Sequence, residues 1–181
     1  MIGIDPGLKL GLAILDPEKP LNIISATAIG QTDTHLADYD RQRSIMHGVA
    51  AYLDDKLPAS ARKFHPVVAI EKPFSSMAVG NPKTFGFQQQ LYGVLRVFLR
   101  ERGFEITEVH VASWRAAWKL PKKKDKPASI ARVHQLTNAK DVAAWYYGGE
   151  WAKEAISEAV MIGGYAAGLP PHVKTTPRVD E

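Results

Sequence analysis

"MIGIDPGLKLGLAIL", residues 1–15, carries two short apolar runs, 2–5 and 10–15, separated by Pro6-Gly7. Runs this short, rich in isoleucine and leucine and bounded by turn residues, read as strands rather than helix turns. Pro6-Gly7 breaks the first run and reverses the chain. "LNIISATAI" (21–29) repeats the pattern, so the chain is expected to open with a three-stranded antiparallel meander. Its first strand ends on a carboxylate, Asp5, placed where the apolar run stops.

Beyond the meander, strands and helices alternate. Ile45, Val49 and Leu53 recur at helical spacing and predict a helix over 38–54. "HPVVAIEKPF" (65–74) predicts a fourth strand, entered through Pro66 and stopped by Pro73. "NPKTFGFQQQLYGVLRVFLRERG" (81–103) has Asn81 as N-cap, Pro82 at the first helical position, an apolar face of Leu91, Leu95, Phe98 and Leu99, and Gly103 as its stop. "EITEVHVASW" (105–114) alternates like a fifth strand. A short helix is expected over 127–136 and a final one over about 151–167. Three antiparallel strands followed by strand-helix units imply an α/β fold with a mixed five-stranded sheet and helices on both faces. One domain over 1–169 is expected, with a proline-rich, charged tail at 170–181 loosely attached.

Composition narrows the chemistry. At 181 residues and 45% hydrophobic the chain can bury one sizeable core. It has no cysteine, which removes disulfides, thiolate metal sites and a cysteine nucleophile, and agrees with a reducing compartment. No leader-like segment and no membrane-length apolar run stand out, so a soluble intracellular protein is expected. The net charge is only +4, but "RAAWKLPKKKDK" (115–126) holds Arg115, Lys119, Lys122, Lys123, Lys124 and Lys126 against Asp125 alone, a local +5. Flanked by Trp114 and Trp118, this segment suits a polyanion such as a nucleic-acid backbone; a solvated surface loop is the plainer reading.

The acids then fall into a pattern. Asp5 closes the first strand and Glu71 the fourth; if those strands are parallel neighbours, both emerge at one sheet end, where α/β folds place ligands. "KEAISEAVMIGGYAAG" (153–168) is a small-residue apolar helix that begins with Glu154 and Glu158, four apart and hence on one face. Either these acids converge on a cation, or they sit in solvated first turns and suit the positive end of the helix dipole. Without cysteine or paired histidines, such a set points to hard oxygen ligands for Mg²⁺, with Mn²⁺ able to substitute. Two such ions would catalyse phosphodiester hydrolysis.

"IGIDPGLKLGLAIL", "VAIEKPF" and the acid-bearing last helix, in that order and spacing, resemble the RuvC-type Holliday-junction resolvases of the RNase H-like (retroviral integrase) superfamily, nearest their bacteriophage-like branch. The resemblance spans about residues 1–168. It implies an RNase H-like fold and a metal-dependent endonuclease that nicks four-way DNA junctions symmetrically. It also implies two divalent ions per active site, a homodimer, no nucleotide cofactor, and a cytoplasmic location in a bacterial or phage-infected cell. Asp5 and Glu71 match the acids of the first and fourth strands, and Glu158 matches the second acid of the last helix. Phe74 matches an aromatic associated with the opened junction centre; a loop ring folded back on the core is the plainer reading. Arg115 and Lys126 match basic residues at the scissile backbone, Lys126 as a catalytic candidate, with Lys119 and Lys122 to Lys124 as looser support. Gly86 and Gly93, seven apart, suit close helix approach in a dimer.

The match departs at Ala155, where the family pattern has an acid. Glu154 can supply the missing carboxylate from a neighbouring angle, the alanine can be a substitution at a metal ligand, or three acids can suffice. Other readings stay open: a related nuclease acting on RNA:DNA hybrid or RNA, an inactive junction-binding protein, or an actin-like ATPase, which would need a second lobe. Trp145, Tyr146, Tyr147 and Trp151 read as packing residues, with a stacking platform as the alternative. His47, His65, His110 and His134 lack ligand spacing and read as surface or core residues.

Overall fold

A computed structural model describes residues 1–30, 37–57, 66–74, 81–121 and 126–169, apart from the side chains of Lys126 and Tyr146. The tail at 170–181, Lys122 to Lys124 and His65 lie outside the described residues. The strands are β1 (Ile2–Asp5), β2 (Lys9–Leu15), β3 (Ile23–Gly30), β4 (Val67–Lys72) and β5 (Glu105–His110). The helices are α1 (Asp38–Lys56), α2 (Pro82–Glu101), α3 (Val111–Ala117), α4 (Lys126–Leu136), α5 (Ala143–Tyr147) and α6 (Glu150–Ala166), with a 3-10 turn at Ala139–Asp141.

The strands form one sheet in the order β3-β2-β1-β4-β5. β1, β2 and β3 pair antiparallel, as the meander predicts, whereas β4 pairs parallel with β1, and β5 with β4. Ile2 stands opposite Val68 and Ile4 opposite Ile70. Side chains alternate across a strand, so these four residues enter one core with Ile45, Val49 and Leu53 of α1 and Leu91, Leu95 and Leu99 of α2. Ala13, Leu15 and Ala69 enter the opposite core, beneath α6, with Trp114, Trp118, Val133 and Trp145. Helices thus cover both faces.

The boundaries of α2 follow its end signals. The Asn81 side chain accepts the Thr84 N–H at 3.1 Å, and Pro82 needs no partner for a donor it lacks. At the far end Gly103 takes φ +80°, a left-handed conformation that favours glycine. There the Phe104 N–H donates to the Leu99 carbonyl at 3.0 Å.

One expectation is corrected. The alternation at 105–114 does not continue as strand: β5 stops at His110, and Val111–Ala117 is helical. β5 is an edge strand whose partner β4 ends at Lys72, paired with His110, because Pro73 cannot extend the ladder. With no neighbouring strand, the backbone turns into α3.

At Gly3 and Gly11 helix α6 comes directly onto the sheet backbone. A Cβ built on Gly11 would stand 1.9 Å from the Ala155 carbonyl oxygen, and one on Gly3 1.9 Å from that of Ala159. Gly163, four residues beyond Ala159, meets Gly3 in turn. We expect Gly11→Ala to lower the unfolding free energy in urea by about 3 kcal/mol, since the clash is with backbone rather than a movable side chain. A loss of about 0.5 kcal/mol or less would show that α6 rises freely from β2.

Candidate active site

β1 and β4 run parallel in register, so their ends coincide. Asp5 and Glu71 follow the paired residues Ile4 and Ile70, and both precede a proline that stops the strand. On β1, Gly3 lies under α6, and alternation puts Asp5 on that same face; Ala69 does the same for Glu71.

The glycine contacts bring α6 to this point. Asp5, Glu71, Glu154, Ala155 and Glu158 line one cleft of about 310 Å³, with Lys9, Thr84, Gln88 and Trp151 among its other walls. Glu154 and Glu158 are each 8% exposed. The solvated-turn reading of these acids is therefore wrong: the close approach of α6 to the sheet carries its N-terminal half into the fold. Ala155 is 3% exposed, and its carbonyl faces Gly11.

Helix α3 holds two of the carboxylates through consecutive residues. The Trp114 indole N–H donates to Glu71 Oε2 at 2.7 Å, and Arg115 Nη1 lies 3.6 Å from Glu158 Oε1. Trp114 is 1% exposed, so its ring is held by packing on all sides. One turn on, Trp118 donates to the Met161 carbonyl at 2.9 Å and ties α3 to α6. Lys119 then ends the turn at φ 55°, a left-handed conformation costing roughly 1 kcal/mol for a residue other than glycine.

The predicted carboxylates thus line one cleft, and Arg115 reaches Glu158 beside it. Phe74 is half-exposed and belongs to neither core, so it is not folded back. Lys119 is exposed and does not line the cleft. Lys126 opens α4. Trp145 is buried, as a packing residue should be, but Trp151 is 38% and Tyr147 84% exposed; for these two the packing reading is corrected. α6 begins at Glu150 and leaves Trp151 at the cleft wall, outside the layer its later turns bury.

Trp114 had no sequence signal as a partner of Glu71, being 43 residues away and placed by a strand-to-helix change that alternation does not report. The ligand atoms the cleft offers are oxygens, the carboxylates of its four acids with the Thr84 hydroxyl and the Gln88 amide oxygen beside them, the set that suits Mg²⁺ or Mn²⁺. Among the described residues no three acidic or imidazole side chains stand close enough together to hold a metal ion. No described helix is long and apolar enough to cross a membrane.

No family model and no curated protein matches the chain. Solved structures do. Thermus thermophilus RuvC in complex with a Holliday junction substrate superposes with a TM-score of 0.57 at 14% identity, covering 93% of this chain and 96% of that one. A second Thermus thermophilus RuvC structure gives a TM-score of 0.58 at 16% identity over the same shares. The chain has the RNase H-like α/β fold of the RuvC structures, with the acids of three distant segments gathered at the ends of β1 and β4.

Proposed function

We propose that this protein is a structure-selective DNA endonuclease that resolves four-way junctions by symmetrical nicking. The observation that carries this reading is the single cleft lined by Asp5, Glu71, Glu154 and Glu158. These acids come from two strand ends and a helix, on a fold shared with RuvC structures. A cleft so rich in carboxylates would repel a phosphodiester unless cations intervened. Asp5, Glu71, Glu158 and Glu154 would hold two divalent ions, Mg²⁺ or Mn²⁺. Bound there, the ions supply Lewis acidity toward the phosphodiester and lower the barrier to attack by water.

The remaining roles belong to the chain's own side chains. Trp114 occupies one oxygen of Glu71 and so fixes how the carboxylate presents the other. Arg115, beside Glu158, adds positive charge at the cleft, where a scissile phosphate would sit. Lys119, Lys122 to Lys124 and Lys126 follow α3 in sequence and would hold the DNA backbone electrostatically. Phe74, exposed past the end of β4, offers a ring on which an unpaired base at the junction centre can stack. Glu154 supplies the carboxylate that Ala155 lacks, since both positions line the cleft.

A second copy would complete the enzyme. A groove of about 480 Å³ between α1 and α2 is walled by Met46, Val94, Val97 and Phe98. Val94 and Val97 are 45% and 58% exposed, and a Cβ on Gly86 or Gly93 would meet nothing within 4 Å. Exposed apolar side chains beside open glycines suit close packing of two helices about a two-fold axis. Val97→Glu is expected to halve the mass measured by sedimentation, to the 19.9 kDa of one chain. An unchanged mass would place the dimer elsewhere or remove it.

The deciding assay is an end-labelled four-way junction with Mg²⁺ or Mn²⁺. Paired, symmetrical nicks are expected. Glu154→Gln should lower their rate by about 100-fold or more, and adding Ala155→Asp should restore most of it. Tight junction binding with nicks only after Ala155→Asp would identify a junction-binding protein with a disabled site. Cleavage of an RNA:DNA hybrid with the junction left intact would change the substrate.

Trp114→Phe should raise the Mn²⁺ dissociation constant measured by calorimetry by about tenfold. Trp118→Phe, which loses an indole donor to a main-chain carbonyl, should lower stability and leave that constant unchanged. Equal effects of the two variants on metal affinity would reduce Trp114 to a packing residue.

A further inference from the structure

A second cavity, of about 610 Å³, opens between α4 and the first turns of α6. It adjoins the carboxylate cleft, because Trp151 and Glu154 line both. Pro127, Ile130 and Ala131 of α4 give it an apolar wall, and Glu150 and His134 add polar groups at its edge. Its size is that of a small-molecule site.

Trp151 stands between the two spaces. Lys9 Nζ lies 5.7 Å from the centre of its ring, and Lys9 lines the cleft but not the second cavity. The lysine therefore marks the ring's cleft side. The ring is also braced from β3, since a Cβ on Gly30 would come within 3.2 Å of its six-membered edge. A fixed, 38% exposed indole beside an apolar wall is a stacking surface for a flat heteroaromatic ring.

The charges select the kind of ring. Among the described residues that line the cavity none is lysine or arginine, and Glu150 adds a carboxylate that is not among the proposed metal ligands. A phosphate is repelled there, whereas an uncharged base is not. Ionised carboxylates only accept hydrogen bonds, so they favour a base edge bearing an amino group, as in the pairing of glutamate with the cytosine N4 amino group.

We propose that this cavity receives the nucleobase neighbouring the phosphodiester in the cleft, stacks it on Trp151, and prefers a base with an exocyclic amino group, cytosine first. The cavity thereby sets which sequence is cut. The identity of the delivered nucleotide rests on the nuclease reading above; the chemistry of the cavity does not.

The test uses uncharged nucleosides on the full chain. The indole N–H resonance of Trp151, assigned with Trp151→Phe, is followed by NMR during titration with 2′-deoxycytidine or thymidine. It should shift at concentrations about fivefold lower for deoxycytidine. Ala131→Phe, at an exposed position of α4, fills the cavity and should abolish the shift. On a junction library the same variant should lose the preference for the base at the cleavage site. No shift with either nucleoside, or equal shifts with both, would overturn the proposal. Should junctions remain uncut while the Trp151 resonance still discriminates, the cavity stands and the nuclease reading of the cleft fails. Should parent and Ala131→Phe cut with one and the same sequence preference, the cavity proposal fails and the nuclease reading stands.

Discussion

The candidate site depends on one close approach, that of helix α6 to the backbones of β1 and β2. Side chains normally hold a helix about one residue's thickness above a sheet. Here Gly3 and Gly11 remove that layer on the sheet, and Ala155, Ala159 and Gly163, each four residues apart, thin it on the helix. The spacing of four keeps these small residues on one stripe. Glu154 and Glu158 flank the stripe and are carried down with it, which is why two acids can be 92% removed from solvent yet open to a cleft.

A second constraint comes from the edge of the sheet. Pro73 ends β4, β5 loses its partner at His110, and the chain turns into α3 at that level. The turn starts beside the end of β4, so Trp114 and Arg115 arrive next to Glu71 and Glu158. A residue that merely stops a strand thus determines which side chains hold the acids. Trp118 fastens the same short helix to Met161, so α3 is positioned from both the strand and the α6 side.

Electrostatics divides the molecule by task. The cleft concentrates carboxylates, with Lys9 at its wall and Arg115 beside Glu158, while the segment 115–126 carries a net +5. Negative charge gathered at a concave site favours divalent cations, and a basic run favours a polyanion. Elsewhere charge serves structure: at the β4, β5 and α2 junction Arg96 and Lys72 pair with Glu108. The neighbouring Tyr92 hydroxyl and these cations hold the Glu108 carboxyl below its ordinary range despite partial burial.

Much of this was legible in the linear chain because periodicity is local. The three-stranded opening, the end signals of α2, and the two faces of β1 and β4 follow from spacing that each segment carries within itself. So do the identities of Asp5 and Glu71 as acids at strand ends and of Glu158 as an acid on one face of the last helix. What the chain could not reveal were relations between segments far apart in sequence. Whether β5 continued past His110 depended on where β4 stopped. Whether Glu154 and Glu158 faced water or the cleft depended on glycines about 150 residues earlier. The indole bond to Glu71 and the exposure of Trp151 likewise arise only when α3 and α6 are set against the sheet. Local pattern reports which face of an element is apolar; the depth to which that face sinks, and what it meets there, is decided by the partner's backbone.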